Sequence, residues 1–255
     1  MNRSALIHAA SEHLPGHYAA FVTSTALRRA SETLVWEVEQ GNWRQHEALI
    51  EVIGLFNDEA ARAYVMDAVA AMNIGSSAQR FVQTSLSTLT VTIQRLSRQI
   101  VPRLDEKQMQ LAAGHVRSLS LALPDASGTL VSMTGFVVPD YLEENRRAVT
   151  AAIRAGNWES QRQPASKLLA ELGDLIQDEI YLKSIRLMGF GFLTEKMIQG
   201  GAGVARAVQH QLVSWAVNSL GEADFRQMAD YMEKLVVEIS EPLPHHYFFH
   251  PNETA

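Results

Sequence analysis

The sequence predicts an all-α protein, internally duplicated, with two four-helix units packed into one eight-helix bundle-like body. Three observations predict it. Apolar residues recur at helical spacing along almost the whole chain. The tripeptide Gly-Asn-Trp occurs twice, at 41–43 and 156–158. The identities that flank the two copies stay in one register. A repeated module of this kind sets the architecture before any single residue does.

The periodicity is plainest in "HEALIEVIGLFNDEAARAYVMDAVAAM", where Leu49, Val52, Ile53, Phe56, Ala60, Ala63, Tyr64 and Val69 recur at spacings of three to five and form one helix face. In the first half, helices are expected near 17–40, 44–72, 77–101 and 105–122. In the second they are expected near 140–155, 163–188, 192–218 and 222–239. Only "GTLVSMTGFVV" (128–138) has the character of an extended segment. The Gly-Asn-Trp copies lie 115 positions apart. Beyond them the offset is 116, pairing Asp58 with Asp174, Met72 with Met188, Gly75 with Gly191, Gln83 with Gln199, Leu96 with Leu212, Val101 with Val217, Leu104 with Leu220, Glu106 with Glu222, Ala113 with Ala229 and Leu119 with Leu235. Upstream, with a few more residues inserted, 5–18 lies over 129–141 and aligns Pro15 with Pro139 and Tyr18 with Tyr141. The units divide at 1–124 and 125–255, the second carrying a C-terminal tail. Residues 124–139 are the only seam, and they are too apolar for a free tether.

The punctuation fits helices. Gly41 and Gly156 stop a helix because glycine enters the left-handed conformation cheaply. Trp43 and Trp158 then fill the corner between the first two helices of each unit, so truncation of either to Ala is expected to cost about 3–5 kcal/mol. Pro102 closes a helix, Asp105 caps the next, and Pro164 suits a first turn. In the third helices, Thr84-Ser85-Leu86-Ser87 faces Gly200-Gly201-Ala202-Gly203. Helical glycine costs about 1 kcal/mol relative to Ala. Ser85, Gly200, Gly201 and Gly203 are therefore candidates for close helix packing, a helix break or a ligand site.

Composition bounds the partners. The chain has 255 residues, 47% hydrophobic and 20% charged, with a net charge of -6. That balance disfavours nucleic acid, whose binding draws on phosphate neutralisation. The absence of cysteine removes disulfides, Cys-ligated metals and a thiol nucleophile. Neither a signal peptide nor an apolar run long enough for a bilayer stands out, so a cytoplasmic protein is expected; export without a cleavable signal would leave no mark in the sequence.

Catalytic signatures are sparse. "GGAGVA" and "GFGFLT" approach a dinucleotide fingerprint, but neither follows a strand, and no cofactor is expected. The Glu-x-x-His spacing of dimetal bundles does not occur. Asp58, Glu59, Asp67, Asp174, Asp178 and Glu179 read as solvated helix faces, and His115 and His210 as packing or surface residues. In "PHHYFFHP", His246 and His250 have metal-compatible spacing, but Pro244 and Pro251 bracket too short a stretch for a stable helix. No metal is expected, with His245, His246 and His250 as weak candidates. Tyr247, Phe248 and Phe249 pack back on the body or dock a partner.

These residues point to a non-catalytic helical protein–protein interaction module: an adaptor, regulator, inhibitor or secretion-associated factor. Its partner is another protein, and a homo-oligomer fits the same features. The alternative is a small-molecule- or cofactor-binding helical-bundle enzyme or carrier with a pocket between the two halves.

Overall fold

A computed structural model describes residues 15–71, 76–125, 127–183, 186, 203, 206, 207, 209–211, 213, 214 and 216–240. The fold is mixed α/β, not all-α. Helices cover one face of a four-stranded antiparallel sheet of order β2-β3-β1-β4.

The first half opens with β1 (Gly16–Val22). Helix α1 (Thr25–Glu39) starts at Ser24, whose hydroxyl accepts the Leu27 N–H at 3.1 Å. Helix α2 (His46–Ala61) runs into a π-helical turn (Arg62–Met66) and the short α3 (Asp67–Ala71). Helix α4 (Ser76–Ile100) and a 3₁₀ turn (Val101–Arg103) lead to α5 (Glu106–Leu119), where Asp105 and Gln108 form the expected cap as a reciprocal capping box. Strand β2 (Ser120–Pro124) ends the half. The order then repeats. Strand β3 (Leu130–Val138), α6 (Asp140–Arg154), α7 (Arg162–Gln177), a second π-helical turn (Asp178–Leu182), helical residues between 203 and 219, α8 (Glu222–Leu235) and β4 (Val236–Ile239) follow.

The corrections share one cause. The expected helix at 17–40 is a strand and then a helix, and the expected helices at 105–122 and 222–239 each end in a strand. These strands are apolar on both faces, so they lack the alternation that separates a strand from a helix end. The upstream alignment is corrected too: Tyr18 lies in β1 but Tyr141 in α6. The 115 offset simply continues upstream, matching Phe21 with Phe136, Val22 with Val137 and Leu27 with Leu142. The change to 116 falls in the extra 3₁₀ turn Glu159–Gln161 after Trp158.

Both Gly-Asn stops have the same hydrogen bonds. Gly41 and Gly156 have φ of +89°. Asn42 N–H reaches Glu37 O and Gly41 N–H reaches Val38 O, as Asn157 reaches Ala152 and Gly156 reaches Ile153. This is a Schellman motif in each copy. The indoles are half-buried against the core rather than enclosed. The Arg162 guanidinium lies 4.9 Å from the Trp158 ring centroid and 5.4 Å from that of Phe225, and the two rings are 5.7 Å apart.

The sheet interlocks the halves. Strand β1 pairs with β3, β2 pairs with β3, and β4 pairs with β1, so each half's last strand lies against the other half's first. Ala20 pairs with Gly135, its own equivalent at the 115 offset, so a pseudo-twofold axis passes between them. A Cβ on Gly135 would stand 2.6 Å from both Ala19 O and the Ala20 Cβ. The axis has room for one methyl, and Ala20 supplies it. On the helix side, Phe21 and Phe136 converge on Tyr64, with ring centroids 5.5 and 6.1 Å away, and the Tyr64 hydroxyl donates to Ala19 O at 3.1 Å. Burial, reinforced by nearby Tyr231, pushes the Tyr64 phenol pKa well up.

Candidate interaction surface

Strand alternation divides the sheet residues between two faces. Ala19, Phe21, Phe136 and Val138 face the helices and join the main core. The other face presents Tyr18, Ala20 and Val22 from β1, Leu121 and Leu123 from β2, Val131, Met133, Gly135 and Val137 from β3, and Val237 and Ile239 from β4. Among these described strand residues, the only side-chain oxygen or nitrogen is the Tyr18 hydroxyl. An antiparallel sheet with one solvated face ordinarily carries polar residues there. Here the polar strand residues, His17, Ser120, Ser132, Thr134 and Glu238, project to the helix side instead.

A second apolar cluster therefore forms outside the sheet, with Tyr18, Ala20, Leu121 and Ile239 at its centre and Leu123, Met133 and Val237 around them. Val22 and Val137 occupy equivalent positions at opposite ends of this face and are 64% and 53% exposed. Burial raises the Tyr18 phenol pKa.

The polar groups on the helix side are paired internally. Glu59 lies buried, contrary to its reading as a solvated residue. It accepts the Ser24 N–H at 3.0 Å and the Ser24 hydroxyl. Glu143 is also buried and accepts two hydrogen bonds from Arg146, at 2.6 and 2.7 Å, and one from Arg147 at 2.6 Å. Burial alone would raise its pKa, but the two arginines hold it below the usual carboxylate range. Arg147 also reaches His17 Nε2 at 2.8 Å.

A second polar set lies along α7. Asp178 binds Arg206 at 2.7 Å, Asp174 meets His210 Nε2 at 3.0 Å, and Gln177 donates to Gln209 at 2.7 Å. Asp174, Asp178 and Glu179 are thus ion-paired and half-buried, whereas Asp58 and Asp67 are exposed. The Asp174–His210 pair offers a base and its orienting acid, but no hydroxyl among the described residues is hydrogen-bonded to that imidazole. His115 is buried with neither ring nitrogen in a well-aligned hydrogen bond. Burial, then Lys183, lowers its pKa against the opposing pull of Glu179 and of the Ile180 and Glu179 backbone. At the equivalent place in the other half, burial and then Asp67 raise the Tyr231 phenol pKa.

The sequence-derived candidates are placed as follows. Ser85 lies in α4. Gly203 is helical and exposed, and a Cβ there would meet no described atom within 4 Å. Gly200, Gly201, His245, His246, Tyr247, Phe248, Phe249 and His250 lie outside the described residues. Among the described residues, no three His, Asp or Glu side chains cluster to hold a metal ion, and no helix is long and apolar enough to cross a membrane. The outer sheet face was missed by sequence reasoning because its strands were read as helix ends. The signal that could have found it is the apolar character of "YAAFV", "SLALP" and "VVEI" at positions both odd and even. Compared with protein-family models, with curated proteins and with solved structures, the chain gives no match.

Proposed function

We propose that the protein is a non-catalytic protein–protein interaction module that meets its partner on the outer face of the sheet. The observation that carries this reading is a sheet face with one side-chain polar atom, whose rim residues Val22 and Val137 stand open to solvent. Exposed apolar side chains at the ends of so apolar a face mark a place where another surface can dock. The charged residues support the same reading, since the buried carboxylates of Glu59 and Glu143 are engaged in helix-start and ion-pair contacts.

The test compares three forms of the full-length protein: the parent, Val22→Glu/Val137→Glu, and the control Val91→Glu, which alters a valine 61% exposed on α4. Parent and control are expected to capture the same protein from the native lysate, with the double variant losing it at least tenfold. Light scattering on the purified forms identifies a second copy of this chain as that partner if the mass halves in the double variant alone. Equal capture and equal mass for all three forms would refute the reading.

A further inference from the structure

Every described strand pairing joins one half to the other: β1 with β3, β2 with β3, and β1 with β4. The main helix contacts lie within a half, α1 with α2 and α5, α2 with α4, and α6 with α7 and α8. Each half is therefore a helical layer whose strands are completed by the other half. The covalent link between them is the turn from β2 to β3, and it is short, since Pro124 pairs with Leu130 across it. Asp125 closes that turn. Its N–H donates to Thr129 O at 2.8 Å, and its Oδ1 accepts the Ser127 and Thr129 N–H groups at 2.8 and 3.0 Å. Gly128 takes the left-handed conformation there, with φ of +82°.

We propose that the protein has a second assembled form, a dimer in which two copies of this chain exchange halves. Strands β1 and β2 of one copy pair with β3 and β4 of the other, and the reverse. With the turn opened, β2 and β3 of each copy run on as one strand. Each pairing between halves is remade between copies in the same register. The exchange therefore costs the hydrogen bonds of the turn and the entropy of association, and the second cost falls as concentration rises. A short link between two paired strands favours such exchange. The methyl at the pseudo-twofold axis selects this arrangement. Two copies pairing like with like, β1 against β1, would set Ala20 against Ala20 at the same register. A Cβ opposite Ala20 stands 2.6 Å from the Ala20 Cβ and from Ala19 O, so those strands could not keep their separation. First halves are thus matched to second halves. The proposal goes beyond the partner reading and stands without it, because the contact is strand pairing and leaves the outer face free.

The chain has no natural cysteine, so introduced thiols report without background. Val22 pairs with Met133, and the adjacent Thr23 N–H donates to Ser132 O, which makes 22–133 a non-hydrogen-bonded pair with close side chains. Full-length Val22→Cys and Met133→Cys chains are mixed, unfolded together in urea, refolded and oxidised. Each chain has one thiol, so a disulfide between the two variants reports contact between copies. Its yield is expected to rise at least fivefold when refolding is done at about tenfold higher protein concentration. It is expected to fall at least fivefold when both chains carry a Gly/Ser insert after Gly128, because a longer turn closes within one chain. No such disulfide at the higher concentration, or a yield unchanged by the insert, would overturn the proposal. Equal linking of folded chains mixed without unfolding would assign the contact to docked surfaces and overturn it too. Met133→Cys and Val137→Cys chains, which meet only where β3 pairs with β3, are expected to link at least fivefold less after the same treatment; equal linking would overturn the matching of first halves to second. Light scattering needs no thiol. The parent and Val22→Glu/Val137→Glu, refolded at the higher concentration, are both expected to show the dimer, and its absence from the parent would overturn the proposal.

Discussion

The two halves begin their first helices at equivalent positions with opposite chemistry. In the first, Ser24 caps α1 and gives its N–H and hydroxyl to the buried Glu59. In the second, Pro139 stands at the cap position with neither group to give, and the residue equivalent to Glu59 is Leu175, packed against the core. The fold accepts a polar pair or an apolar pair there, since each satisfies itself. A mixed pair would strand a buried donor or a buried carboxylate. The same freedom shows elsewhere. His46 and Arg162, equivalent residues, both engage the carbonyl of equivalent leucines, Leu104 and Leu220. Arg28–Glu32 on α1 is mirrored by Glu143–Arg147 on α6 with the charges reversed, and only the second, with the acid nearer the helix start, closes to 2.6 Å.

The comparison can be broken at that first junction. Ser24→Pro alone leaves Glu59 buried without its donors and is expected to cost about 3 kcal/mol, and Glu59→Leu alone about 2 kcal/mol. The backbone at Ser24, φ -64° and ψ 157°, already suits proline. The double variant is therefore expected within about 1 kcal/mol of the parent, which urea denaturation of all four forms checks as a thermodynamic cycle. Independent, additive losses would end the claim that the two junctions are interchangeable.

Gly135→Ala comes next, because its methyl would collide with Ala19 O and the Ala20 Cβ. A loss of about 2–3 kcal/mol is expected. The exchange Ala20→Gly/Gly135→Ala moves the single methyl across the pseudo-twofold axis, and thermal denaturation should show it recovering at least half of that loss.

The tryptophans sharpen the comparison further. Half-burial lowers the expected cost of Trp→Ala to about 2 kcal/mol, below the value for an enclosed ring. Trp158→Ala should cost more than Trp43→Ala. The Arg162 guanidinium that stacks on Trp158 also binds Val217 O, Asn218 O and Leu220 O, whereas Arg44, over Trp43 at 5.3 Å, has no such role shown. The order of the two melting temperatures is the measurement.

The smallest effect is a pH dependence. The pKa of His115 is lowered in the folded protein, so the unfolded chain binds the proton more readily. Stability from this source is complete above the ordinary histidine pKa of about 6.5 and falls as pH drops below it. Comparing the parent with His115→Phe by urea denaturation at neutral and mildly acidic pH should show the smaller acid-side loss in the variant.

Much of this was legible in the sequence for identifiable reasons. The helix bounds around Gly41, Gly156 and Asp105 follow from local chemistry that the sequence states outright. Only β3 announced itself as extended, because 128–138 is the one stretch that departs from helical spacing toward alternation. Strands β1, β2 and β4 are four to seven residues long and directly adjoin or closely approach helices. Their apolar residues fall on both sides, so the apolar run continues across the junction and periodicity has nothing to detect. The outer face was hidden for that same reason. Glu59 was misjudged because its partner, Ser24, lies 35 positions away and no local spacing links them.

The crossed strand pairing also constrains how the molecule is made. Gly16, in the first described strand, finds its lateral neighbour in Ile239, in the last described strand. Until those last residues emerge, the central strand has one open edge, and the nascent first half has no place to settle its own closing strand, which belongs beside β3. Assembly from one end to the other is thereby disfavoured. The sheet must close late, over a long loop, and refolding should be slow for a protein so rich in helix.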